Sequence, residues 1–114
     1  IHPDFVRHQL VDGRLNDRHG PEAITGAVEQ LHNALGGFYE RIDAVIAEGD
    51  MVAVRVNMGG THQGEYRGVA PTGNEIAYQA YRFIRVADGK VAEMWSLGDD
   101  YSVMQQLGVI PGPG

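Results

Sequence analysis

The chain has no cysteine, which removes disulfides, thiolate nucleophiles and thiolate zinc sites and leaves its redox compartment open. It also has no basic cluster. Its 9 Lys and Arg are outnumbered by 15 Asp and Glu, giving a net charge of -6 and a pI near 5.2. That balance argues against phosphate backbones and anionic membrane surfaces as partners. No apolar run approaches the roughly 18 residues that span a bilayer, and no charged-then-apolar segment opens the sequence, so a cytoplasmic protein is the expectation. Strand–helix–strand alternation is missing too, which disfavours a parallel, doubly wound sheet.

What remains is an ordinary globular balance of 43% hydrophobic and 21% charged residues in 114 positions, the size of one domain with one core. The 16 glycines fall between periodic segments and read as turns. Pro3 with Phe5, Val6 and Gln9 predicts a short helical turn running into an extended Leu10-Val11-Asp12-Gly13, and Arg14 to Gly20 reads as a polar loop. Gly20-Pro21-Glu22 is a helix start. Ile24, Ala27, Val28, Leu31, Ala34 and Leu35 then form a one-sided apolar stripe, ended by Gly36-Gly37.

From Phe38 onward the period becomes that of strands: Phe38 to Glu48, Met51 to Met58 or beyond, Asn74 to Val86, and Lys90 to Gly98. Ala87-Asp88-Gly89 is a hairpin signal that makes the last two strands antiparallel neighbours, and Gly59-Gly60 suggests a bulge or bend. A helix followed by a mostly antiparallel sheet defines an α+β domain with helices on one face of a strongly bent sheet.

The stretch Lys90 to Gly108 carries the chemistry. Val91, Glu93, Trp95, Leu97 and Asp99 share one strand parity, after which Asp100 sits at an N-cap position ahead of Val103, Met104 and Leu107. A carboxylate at Asp99 beside an indole in a cavity would lose hydration and rise in pKa, whereas a neighbouring helix N-terminus would oppose that rise; equally, Asp99 and Asp100 could simply share the capping task. In Asn74–Val86, Gln79, Tyr81 and Phe83 lie on one parity, where an inward Gln or Tyr could bind a ligand carbonyl or hydroxyl. Arg55, set among Ala53, Val54 and Val56, either emerges at an edge or pairs with a carboxylate, for which Asp99 and Glu93 are the natural candidates. His8 could point into a pocket or into water, and His62 reads as a surface residue.

Three stretches, HPDFVRH, VAVRVNMGGTHQGEYRGVAPTG and FIRVADGKVAEMWSLGDDYSVMQQLG, together resemble the SnoaL-like polyketide cyclase (ester cyclase) family of the nuclear transport factor two-like superfamily. The resemblance covers nearly all of residues 1–114 as a single domain. It implies a cone: a curved sheet around a hydrophobic pocket covered by helices. It further implies metal-free, cofactor-free ring closure by intramolecular aldol condensation on a small hydrophobic carbonyl compound, with Asp99 as acid/base. His8 matches the histidine of the family's P-D-x-x-x-H pattern, and Arg55 and His62 match positions often filled the same way; Trp95, Gln79, Tyr81 and Phe83 would line the pocket. The long helix that usually precedes P-D-F is absent from this sequence, and a homodimer or higher homo-oligomer through the outer sheet face is expected. Ketosteroid-isomerase-like proton transfer, epoxide hydrolysis drawing on Asp99, Arg55 and either Glu93 or Asp43, and a non-catalytic binding module are the alternatives on the same fold.

Overall fold

The computed structural model describes residues 1–11 and 14–111. In chain order the elements are β1 (Val6–Val11), β2 (Arg14–His19), α1 (Glu22–Ala34), β3 (Leu35–Glu48), β4 (Met51–His62), β5 (Glu75–Ala87), β6 (Lys90–Gly98) and α2 (Asp100–Gln106). The strands form one curved, unclosed six-stranded sheet in the order β2-β1-β6-β5-β4-β3, antiparallel throughout except where β1 runs parallel to β6. This is the expected α+β cone with helices on one side. No helix among the described residues is long and apolar enough to cross a membrane.

The pleat sorts side chains by face, and the ladder registers extend that sorting across the sheet. Val54, Val56, Met58, Ile76, Tyr78 and Ala80 point toward the helices and pack with Ala34, Leu35, Val103 and Leu107 as the core. Neighbours of opposite parity face away from the helices. Asp88 and Gly89 both adopt positive φ, the geometry of a tight hairpin, and β5 and β6 pair antiparallel as expected. The bulge suggested at Gly59-Gly60 lies across the ladder, where β3 inserts an extra residue between Gly36 and Tyr39; a second insertion between Ile42 and Ala44 gives Asp43 its own place.

Two sequence expectations are corrected at the N-terminus. The segment expected as a helical turn is strand from Val6 onward, because flanking ladders to β2 and β6 give its backbone partners on both sides, more than one isolated helical turn provides. The Asp12-Gly13 end of that extended reading lies outside the described residues. The expected loop from Arg14 is the edge strand β2; its side chains are exposed, so no apolar alternation marks it. At the first helix, Pro21 rather than Gly20 is the N-cap. The helix ends at Ala34, just ahead of Gly36-Gly37, and both glycines lie inside β3.

The link between β4 and β5 folds back against the end of α1. The amides of Gln63 and Gly64 donate to the Ala34 carbonyl there, and a Cβ on Gly64 would fall 2.1 Å from the Asn33 carbonyl oxygen, so only glycine permits this approach. Tyr66 and Val69 then exchange backbone hydrogen bonds around Arg67-Gly68, both at positive φ. The tip of that turn stands over the helix-side face.

Candidate functional site

The two faces of the sheet each enclose a hollow. On the helix-free face, an apolar trough of about 470 Å³ is lined by residues that include His8, Leu10, Ile46, Phe83, Trp95 and Leu97. Cross-strand register builds it: His8 stands opposite Trp95, Trp95 opposite Phe83, and Phe83 opposite Ala53. Trp95, Tyr81, Phe83, Arg55 and His8, all expected as site residues, are thus gathered on one surface.

Their polar groups are already engaged. His8 lies 2.6 Å by Nδ1 from Asp17 and 2.7 Å by Nε2 from Glu93, and its ring stacks on Trp95 at 5.1 Å between centroids. Burial alone would lower its pKa, but the hydrogen bonds and charges of Asp17 and Glu93 outweigh that and raise it above the usual 6.5. With a carboxylate at each nitrogen, both N–H groups donate, and the imidazolium has no free donor for a substrate. Glu93 also accepts from Arg85 Nε at 2.9 Å, and the hydrogen bonds from Arg85 and then His8 lower its pKa. The result is a staple that ties β2 and β1 to β6.

Arg55 pairs with neither Asp99 nor Glu93. The extra residue Asp43 on β3 takes that role, accepting from Arg55 Nε at 2.7 Å and from Asn57 Nδ2 at 2.7 Å, and these bonds depress the Asp43 pKa. Asn57 in turn accepts from Gln79, whose carbonyl oxygen accepts from the Tyr81 hydroxyl. This chain of exposed polar groups runs across β3, β4 and β5 on the helix-free face.

The larger hollow, about 800 Å³, lies between α1 and the other face. It contains Tyr66, Arg67, Tyr78, Arg82, Ser96 and Asp100, together with arginines from the β1–β2 end. Asp100 Oδ2 lies 3.1 Å from Arg67 Nη2, and the Arg67 guanidinium sits 5.6 Å over the Tyr66 ring. A Cβ built on Gly98 would fall 3.6 Å from Asp100 Oδ1 and 3.7 Å from Tyr78 Cε2, so carboxylate and phenol flank the same space above a residue with no side chain. Burial pushes the Tyr78 pKa strongly up, with the nearby Tyr66 and Asp100 adding to it. Burial also raises that of Tyr66. Both hydroxyls therefore remain protonated donors at neutral pH.

The two adjacent aspartates hold the reverse of their expected stations. Asp99 is the N-cap of α2: it is exposed, its Oδ1 accepts from the Ser102 amide at 3.2 Å, and it lines neither hollow. Asp100, expected at the cap, begins the helix with its side chain 28% exposed and reaches the larger hollow. His62 is wholly buried, not at the surface, and likewise lines neither hollow. Its Nδ1 accepts from the Thr72 amide at 3.1 Å, which leaves the ring proton on Nε2, where it has no partner among the described residues. Gripping Thr72 from the end of β4, His62 closes the loop that carries Tyr66 and Arg67. Tyr66, Arg67 and Tyr78 were assigned no role from the sequence, and Asp100 only that of a helix cap. The parity shared by Tyr78, Ala80 and Arg82 was the signal for one of them.

Because its folded-state pKa is raised, His8 contributes stability that is fully present below its unfolded pKa and lost as pH rises through the folded value. The expected result by nuclear magnetic resonance is an imidazole titrating above 6.5. In urea unfolding, the advantage of the parent over His8→Gln should be larger at about pH 6 than at about pH 9. A midpoint below the usual value would remove the staple.

Comparison with known proteins gives a consistent placement. A family model described as SnoaL-like polyketide cyclase matches residues 1–107. IdmH from Streptomyces antibioticus, a candidate polyketide cyclase, is 30% identical over 95% of this chain and 81% of its own, with a TM-score of 0.76. AclR from Streptomyces galilaeus, a candidate hydroxylase, is 27% identical over 99% of this chain and 69% of its own, at 0.82. A candidate SnoaL-like polyketide cyclase from Jannaschia sp. CCS1 is 24% identical over 97% and 75%, at 0.83. No curated protein matches the chain. With its fold, its helix-covered hollow and a match over nearly its whole length, this chain belongs to the SnoaL-like polyketide cyclase family.

Proposed function

We propose that the chain is a cofactor-independent cyclase that closes a ring by intramolecular aldol condensation on a small hydrophobic polycarbonyl substrate, with Asp100 rather than Asp99 as the acid/base. The observation that carries this reading is the shared space above Gly98, bounded by the Asp100 carboxylate and the Tyr78 ring. A proton on a carbon between two carbonyls is already acidic, so placement and a modest base supply much of the catalysis. Asp100 takes that proton, and the Tyr78 hydroxyl donates to the enolate oxygen. The carbanion forms the new C–C bond at a second carbonyl of the same chain, and the resulting alkoxide recovers the proton from Asp100. No redox equivalent is consumed. Arg67 holds the carboxylate in the cavity.

Replacing Asp100 by Asn is expected to lower the rate of cyclisation of a β-polyketone ester by about 10²- to 10⁴-fold. Asp99→Asn should stay within about threefold of the parent, because Asn caps a helix as well as Asp does. The reverse pattern would return the acid/base role to Asp99. Two fully active variants would remove both aspartates as the acid/base, and a parent that does not cyclise the ester would favour the non-catalytic binding module.

A homodimer through the helix-free face belongs to the same reading. Phe83 is 60% exposed there, Ile46 72% and Leu97 49%, an apolar cost that a second copy would relieve. The charges beside them are already paired within the chain, so a two-fold contact would not set bare like charges against one another. Sedimentation should give a dimer for the parent and a monomer for Phe83→Glu; a monomeric parent would remove this assignment.

A further inference from the structure

Arg7, Arg18, Arg67 and Arg82 line the helix-side hollow together with the carboxylates of Glu22, Glu65 and Asp100, and those charges are not all paired with one another. Of the arginines lining it, Arg67 pairs with Asp100, and Arg82 pairs with Glu40. Arg7 and Arg18 have no carboxylate partner among the described residues. The only side-chain hydrogen bond of Arg7 there is from Nη1 to the neutral Gln9 carbonyl oxygen, at 2.9 Å. The two are direct cross-strand partners in the β1–β2 ladder, on the face that borders the hollow. Side chains so placed start with Cβ atoms about 5 Å apart, and like charges in that register destabilise a sheet. Burial, followed by the repulsion of Arg82 and Arg18, lowers the Arg7 pKa. Arg7, half-buried, and Arg18, exposed, thus face each other beside the cavity with guanidinium donors open to an anion that arrives with the ligand.

We propose that Arg7 and Arg18 form an oxyanion-binding subsite at the β1–β2 end of the helix-side hollow, so that the preferred substrate ends in a free carboxylate and not in a neutral ester. The inference rests on the reading of that hollow as the substrate site and assigns the class of substrate it takes. A guanidinium pair grips a planar carboxylate through parallel N–H donors, which fixes one end of the substrate. The reacting carbons are then held toward Asp100 and Tyr78, which line the same hollow from β5 and the start of α2. The fixed end would also set which carbonyl meets the enolate.

The test compares 2-naphthoate with methyl 2-naphthoate by isothermal titration calorimetry, on the parent and on an Arg7→Gln, Arg18→Gln double variant. The parent should bind the acid at least about tenfold more tightly than the ester, the advantage falling as salt is raised. In the double variant the acid should lose that advantage while ester binding stays within about twofold, since only the ion contact has been removed. Equal affinity of acid and ester for the parent, or an acid preference that survives in the double variant, would overturn the subsite but leave the cavity reading intact. Failure of both probes to bind the parent would overturn both. If the double variant does not fold, the parent's acid-to-ester ratio and its salt dependence decide alone.

Discussion

The alternation of side chains along paired strands is the constraint on which the rest of this molecule depends. Once β5 is in register with β4 and β6, every residue on those strands is assigned to one of two faces, and the assignment passes across the whole sheet through the ladders. Tyr78 goes to the helices and Tyr81 away from them. The same rule decides the fate of the two aspartates, because β6 ends at Gly98 and the chain turns into α2 at Asp99. One residue caps the helix; the next enters the cavity. A slip of one position would exchange them, together with every polar group that faces the hollow.

The two faces are consequently different in chemistry. On the helix-free side, charges are consumed in closed sets: Asp17, His8, Glu93 and Arg85 in one, Asp43, Arg55 and Asn57 in another. Between them lies apolar surface. On the helix side, the polar groups are more numerous and less fully paired, with phenols kept protonated by burial and Arg7 and Arg18 facing each other without a salt-bridge partner among the described residues. Satisfied networks hold a structure in place, whereas partly unsatisfied ones beside a cavity are suited to a ligand. This contrast, more than the volume of either hollow, is what supports the proposal of chemistry under the helices.

Much of the fold was legible in the sequence because its signals were local and redundant. The stripe from Ile24 to Leu35 has one face to bury, and the β5–β6 turn has a dipeptide that tolerates left-handed backbone. β1 and β2 were not legible in the same way. β2 is a polar edge strand with no buried side, and β1 is fixed by its parallel pairing with β6, some eighty residues away, which local patterning does not register. Asp12-Gly13, between the two, was the available sequence sign of a hairpin.

The site was less legible than the fold for a related reason. His8, Arg55 and Trp95, singled out in the sequence as site residues, do meet, but on the face turned away from the helices. Parity says which residues share a face without saying which face is covered. That depends on where α1 and the 63–74 link return, and the link is held by the buried His62 and the close approach at Gly64. Trp95 is the only tryptophan, which makes the placement directly measurable. Adding a saturating β-diketone ligand to the labelled protein should shift the Tyr66 and Tyr78 ring resonances and leave the Trp95 indole N–H unmoved. A Trp95 signal that titrates with ligand while both tyrosines stay silent would place the binding site on the opposite face of the sheet.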